Sequence, residues 1–118
     1  MKEEMLKYVE KPWGNEKWIA VHDQYALKII TLSKGERTSL QYHNQKEEHI
    51  YICSGTLEVE EDNEHNELIT TLYGPGDIMF NAVKKRHRLK AIETCEFIEV
   101  STPYLDDVVR VEDDYKRT

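Results

Sequence analysis

Gly35-Glu36-Arg37-Thr38-Ser39-Leu40-Gln41-Tyr42-His43-Asn44-Gln45-Lys46-Glu47-Glu48-His49-Ile50-Tyr51-Ile52-Cys53-Ser54-Gly55 is a strand pattern closed at each end by a glycine. Side chains on a strand alternate between its two faces. If the first part is extended, Ser39, Gln41 and His43 share a face, and so do Glu48, Ile50 and Ile52 further on. Glu48 then points wherever Ile50 and Ile52 point, toward a core. A lone buried carboxylate is expensive, and a cation is one of the few things that relieves it. Farther along, His87 shares a face with Leu89 and Ala91, while Arg88 and Lys90 take the other. Gln41, His43, Glu48 and His87 are therefore candidate ligands for one divalent metal. Mixed nitrogen and oxygen donors suit zinc, manganese, iron or cobalt.

Outward from this stretch the pattern stays one of short strands. Tyr25–Leu32 is β-branched and apolar and stops at Ser33-Lys34-Gly35-Glu36. His49–Cys53 and Thr56–Glu60 read as a hairpin about Ser54-Gly55, with Leu57 and Val59 facing inward. A polar loop, residues 61–67, precedes the strand Leu68–Leu72. Gly74-Pro75-Gly76-Asp77 is a turn before Ile78–Phe80, and strands His87–Ile92 and Glu96–Val100 follow. The first ten residues and the tail after Pro103 are each expected to hold a helical turn. The fold class is all-β, a small antiparallel β-barrel or jelly roll, and residues 1–118 are read as a single domain.

Composition narrows the functions. The chain has 118 residues, a third of them charged, and a net charge of −7. An acidic chain argues against nucleic acid and anionic membrane surfaces as partners. No apolar run approaches the roughly 20 residues of a membrane span, and the start has no signal-peptide core. Cys53 and Cys95 lie in apolar runs and read as buried free thiols. The expected compartment is the cytoplasm. His22 and His65 read as surface residues, and His49 falls on the face opposite Glu48.

The residues also carry a family resemblance. Gly35, five residues, Gln41, one residue, His43, four residues, Glu48, six residues and Gly55 resemble the first cupin motif, with Gln41 in place of its first histidine. Gly76 and His87 keep the register of the second motif, with Ala82 and Lys84 where its proline and glycine stand. The Gln-x-His variant is similar to phosphomannose isomerases, including the C-terminal domain of the bifunctional isomerase/guanylyltransferases. So are Lys11-Pro12-Trp13-Gly14, Lys46-Glu47-Glu48-His49, His87-Arg88-Leu89, Glu99-Val100, Asp107-Val108-Val109-Arg110 and Glu112-Asp113-Asp114-Tyr115. The resemblance runs from about Lys11 to Arg117.

It implies a metal-dependent aldose–ketose isomerase acting on a sugar phosphate, most simply mannose 6-phosphate and fructose 6-phosphate. It puts zinc first, with manganese, iron, cobalt or nickel as alternatives, and a homodimer paired through edge strands. Lys46, Glu99 and Arg110 become the candidate catalytic residues, with the base left open among Glu99, Lys46 and Lys28. Burial near a metal would lower a lysine pKa toward neutrality. Trp13, Lys28, Ser39 and Arg88 are candidate substrate contacts, and Trp13 serves equally well as core. The basic run Lys84-Lys85-Arg86-His87-Arg88 would steer an anionic sugar inward, although Lys84 and Lys85 read better as a solvated loop. Tyr115 would plug the barrel end or touch substrate. Two other readings compete: a non-catalytic cupin that binds sugars or sugar phosphates in polysaccharide or nucleotide-sugar metabolism, and a metal-dependent oxygenase. The glutamine ligand and the cationic residues argue against the oxygenase.

Overall fold

The computed structural model describes residues 1–117. Strands and turns account for its regular structure, and no helix is present among the described residues. The strands are β1 (Lys7–Lys11), β2 (Gly14–Val21), β3 (Ala26–Leu32), β4 (Leu40–Tyr42), β5 (Glu48–Ser54), β6 (Leu57–Asp62), β7 (Leu68–Tyr73), β8 (Ile78–Asn81), β9 (His87–Ala91), β10 (Cys95–Ser101) and β11 (Val109–Glu112). They form two antiparallel sheets, β1-β2-β3-β10-β5-β8 and β11-β4-β9-β6-β7, packed as a jelly roll.

Alternation places the core. Ala26, Lys28, Ile30 and Leu32 of β3, Glu48, Ile50 and Ile52 of β5, and Cys95, Phe97, Glu99 and Ser101 of β10 are the inward sets. Leu57 and Val59 of β6 face them from the second sheet and are fully buried. Each such side chain contributes about 2 kcal/mol on burial. Register sorts the interior by polarity. Cys95 lies opposite Leu32 and Phe97 opposite Ile52, so one end is apolar. Glu99 lies opposite Lys28, and Ser101 opposite Glu48, so the other end is ionic.

Several local expectations change. The chain start and the tail are strands, not helical turns. β1 pairs residue for residue with β2, and β11 pairs with β4. Both ends carry alternating Tyr-Val and Val-Arg-Val sequences that an edge position suits. The Ser54-Gly55 turn does not close a hairpin. β5 pairs with β10 and β8, while β6 pairs with β7 and β9. The turn carries the chain from one sheet to the other, with Gly55 at φ 85°. Cys53 is exposed, because it occupies an outward position of β5, and Cys95 is buried. Tyr115 packs against the core and donates its hydroxyl to Glu36.

The tail is latched by charge. Arg37 forks onto Asp114 at 2.5 and 2.8 Å. Arg88, only 3% exposed, donates to the carbonyls of Thr38 and Glu112 and to the Glu112 carboxylate. Asp113 accepts from the Arg117 guanidinium and from the backbone N–H groups of Tyr115 and Arg117. The Arg117 contact, which outweighs burial, lowers the Asp113 carboxyl to about 2.

Two outcomes follow. A Cβ on Gly14 would sit 1.9 Å from the Thr31 carbonyl oxygen of the paired strand. Gly14→Ala should therefore cost about 3 kcal/mol in urea denaturation. The folded value of Asp113 lies below that of the unfolded chain, so its contribution is complete above about pH 4 and is lost as the pH falls toward about 2. Asp113→Asn should remove about 1 kcal/mol of stability at neutral pH after solvent screening. It should also flatten this part of the acid limb in thermal melts.

Candidate metal centre and its cavity

Two rows of side chains face each other across the ionic end. In one sheet, Arg110 of β11 is in register with Gln41 of β4, and Gln41 with His87 of β9. In the other, Trp18, Lys28, Glu99 and Ile50 line up across β2, β3, β10 and β5. Between them lies a cavity of about 170 Å³.

His43, Glu48 and His87 are buried, and their ligand atoms lie within 4.8 Å of one another. His43 Nδ1 meets the carbonyl of Asp107 at 2.5 Å, and His87 Nδ1 meets that of Lys85 at 2.9 Å. A carbonyl only accepts, so both Nδ1 atoms carry the proton and a neutral ring presents a lone pair at Nε2. Those lone pairs face Glu48 Oε1 at 3.3 and 3.4 Å. Acceptors converging on an acceptor repel unless positive charge lies among them. Glu48 Oε2 and His87 Nε2 are also buried without a hydrogen-bond partner. Carbonyl-oriented imidazoles beside a carboxylate are the arrangement that a divalent cation needs. Gln41 lines the same cavity, and its Oε1 accepts from Ser39 Oγ at 2.7 Å, which leaves a second lone pair on the amide oxygen.

Next to this cluster, Lys46 Nζ lies 3.8 Å from Glu48 Oε2 and 3.9 Å from Glu99 Oε2. Burial pushes the Glu48 carboxyl up, but the hydrogen bond with Glu99 and the Lys46 charge outweigh it and hold it well below the usual range. Burial and the Glu48 charge push Glu99 well above its usual range. Burial acts to lower Lys46, yet the Glu99 and Glu48 carboxylates overcome it and raise it. Lys46 is thus an ammonium, contrary to the lowering that burial suggests.

Comparison with known proteins places the chain. The family described as mannose-6-phosphate isomerase C-terminal matches residues 1–113. The chain belongs to this family. The xanthan biosynthesis protein XanB of Xanthomonas campestris pv. campestris is 36% identical over 115 residues, covering 93% of this chain and 24% of XanB. The alginate biosynthesis protein AlgA of Pseudomonas aeruginosa is 35% identical, covering 93% and 23%. A mannose-1-phosphate guanylyltransferase of Escherichia coli is 32% identical, covering 92% and 23%. The chain spans about a quarter of the length of these relatives. Among solved structures, KdgF from Halomonas sp. superposes with a TM-score of 0.74 at 20% identity, covering 85% of this chain and 90% of KdgF. Oxalate decarboxylase from Bacillus subtilis gives 0.78 at 18%, covering 89% and 30%. These likenesses show the cupin-type fold.

Within this family fold, the cavity gathers Gln41, His43, Glu48 and His87, then Lys46, Glu99 and Arg110, and also Trp13 and Lys28. Ser39 and Arg88 are not among its lining residues. Ser39 is wholly buried and holds Gln41, and Arg88 projects from the reverse face of β9 into the tail latch. Three cations of the basic run are engaged within the fold, Lys85 with Glu61, Arg86 with Asp62 and Arg88 with Glu112. Lys84 has φ 65°, the left-handed conformation that the motif glycine would adopt freely.

Glu16 and Trp18 also line the cavity without having been singled out in the sequence, and Asp107, quoted there as part of the Asp107–Arg110 motif but given no role, lines it too. Glu16 accepts from Trp18 Nε1 at 3.0 Å and from Lys28 Nζ at 3.4 Å, and Lys28 Nζ sits 4.5 Å above the Trp18 ring. A spacing of two in Glu16-Lys17-Trp18 was the available signal.

The site predicts uptake of one Zn²⁺ or Mn²⁺ per chain in calorimetry. Glu48→Gln keeps the shape but removes the charge, and should weaken binding at least about 100-fold.

Proposed function

We propose that the chain is a metal-dependent aldose–ketose isomerase of a sugar phosphate, with mannose 6-phosphate and fructose 6-phosphate as the pair. One observation carries this reading: a His–Glu–His cluster, the Lys46–Glu99 pair and Arg110 share a single cavity. Family membership supports it.

A divalent cation, zinc in the first instance, would be held by Gln41, His43, Glu48 and His87 and supplies Lewis-acid stabilisation of vicinal sugar oxygens. The proton chemistry belongs to the chain. A cation held beside Glu48 would offset one of the two influences, burial and the Glu48 charge, that keep Glu99 protonated. In its ionised form Glu99 takes the proton from C2, the C–H pair becoming the C1–C2 double bond of an enediol. The same carboxyl returns the proton to C1. Lys46 donates to O1 as the enediol forms and takes a proton from O2 as the ketone forms. One hydrogen moves from C2 to C1 and one from O2 to O1, so the balance is that of an isomerisation. Arg110 offers a planar fork to the phosphate oxygens. Trp13 and Trp18 bound the sugar with apolar surface.

A second reading is sugar-phosphate binding without turnover. A coupled assay on metal-loaded protein separates the two. Turnover of mannose 6-phosphate is expected, with other hexose phosphates slower. Glu99→Gln and Lys46→Met should each lower kcat about 1,000-fold. Arg110→Ala should raise KM at least about tenfold with metal content unchanged. Binding of mannose 6-phosphate with no turnover would leave the second reading.

A further inference from the structure

The turn between β4 and β5 carries Lys46 between the ligands His43 and Glu48. Four consecutive backbone N–H groups of this turn donate to the segment that joins β10 to β11. Asn44 N–H reaches Asp107 Oδ1 at 3.1 Å, and Gln45 and Lys46 N–H reach Oδ2 at 2.6 and 2.9 Å. Glu47 N–H reaches Thr102 Oγ1 at 3.1 Å, and the Thr102 N–H returns to the Glu47 carbonyl. The carbonyl of Asp107 itself accepts from His43 Nδ1. One residue therefore holds the first ligand through its backbone and the Lys46 turn through its side chain. Val108 follows it, and then Val109 and Arg110 open β11.

We infer that Asp107 is a positioning residue. Its carboxylate fixes the turn 44–46 against the 102–108 segment and so aims His43 Nε2 and Lys46 Nζ into the cavity. A neutral acceptor would fasten such a turn less firmly, because hydrogen bonds to a charged carboxylate are roughly twice as strong as neutral ones. The contacts join residues more than sixty positions apart, so local turn propensity does not account for them. The His43 part rests on the metal reading above, and the Lys46 part does not.

The test uses full-length Asp107→Ala and Asp107→Asn with three readouts: Co²⁺ titration by visible absorption, amide hydrogen exchange, and acetylation of Lys46. Asp107→Ala should weaken Co²⁺ binding about 10–100-fold and alter the absorption bands. Exchange at Asn44, Gln45 and Lys46 should quicken at least about tenfold while β6 and β7 amides stay within about twofold. Lys46 acetylation should rise in step. Asp107→Asn keeps one accepting oxygen and should fall between; if the alanine variant does not fold, the asparagine variant decides. Quickened exchange with Co²⁺ affinity and Lys46 reactivity unchanged would overturn the inference, leaving a structural clasp. So would no change in any readout. If the unaltered protein binds neither Co²⁺ nor Zn²⁺, the metal reading fails, and exchange with Lys46 acetylation still decides the Asp107 inference.

Discussion

Burial of the Glu48 carboxylate sets the terms for everything around it. The group is 2% exposed, so water cannot solvate it, and a charge in that position is tolerated only with opposite charge or hydrogen-bond donors in contact. Lys46 offers a cation just beyond hydrogen-bonding distance, and Asn81 offers one amide N–H at 3.4 Å. The two histidines nearest to it have their Nδ1 protons turned toward backbone carbonyls, so a neutral ring gives Glu48 no donor. The anion is thus answered in part by the chain and leaves a remainder that suits a divalent cation. A buried ion cluster of this kind contributes little to stability when compared with apolar packing, and its presence is better explained by chemistry than by folding.

The fold accommodates this cluster by separating two tasks along the strands. Leu32, Ile52, Leu57, Val59, Cys95 and Phe97 close the apolar end, where burial supplies the driving force. At the other end Lys28, Glu48, Glu99 and Ser101 occupy the same inward alternation positions, and the sheets are held there by polar contacts instead. β4 and β9 share one register pair, Gln41 with His87, which leaves β4 dependent on β11 for support. That is why the tail matters to the site. Its ion pairs with Arg37 and Arg88 keep β11 alongside β4, and β11 brings Arg110 to the cavity.

What could be seen in the sequence follows from these physical circumstances. β5 was legible because Glu48, Ile50 and Ile52 alternate without interruption, and a carboxylate in such a row stands out. The motif spacing carried Gln41, His43 and His87 with it. β2 was hidden because its first half, Gly14-Asn15-Glu16-Lys17, is polar, and the register shift between Trp18 and Ala20 ends the alternation that Glu16 and Trp18 begin. The Ser54-Gly55 turn looked like a hairpin because local residues report a change of direction and not the sheet that is joined next. Arg88 looked like a substrate contact because it adjoins the candidate ligand His87 in sequence. Adjacent strand positions point to opposite faces, and only the course of the tail reveals what waits on the other side.

The same argument explains why charge in this chain is a poor guide until partners are known. The run from Lys84 to Arg88 is the most basic stretch of an acidic chain, yet three of its cations are occupied by Glu61, Asp62 and Glu112. Lys28 stands alone among the apolar residues of β3, and it reaches the cavity, as does Lys46 from its polar turn. Burial makes an ion costly unless something answers it, so a single charge within an inward apolar row carries more information than a cluster on a turn. Lys28 within Ala26–Leu32 is such a charge, and so are Glu48 and Glu99. Their three strands are neighbours, β3 beside β10 beside β5, which is how one charge per strand becomes one site.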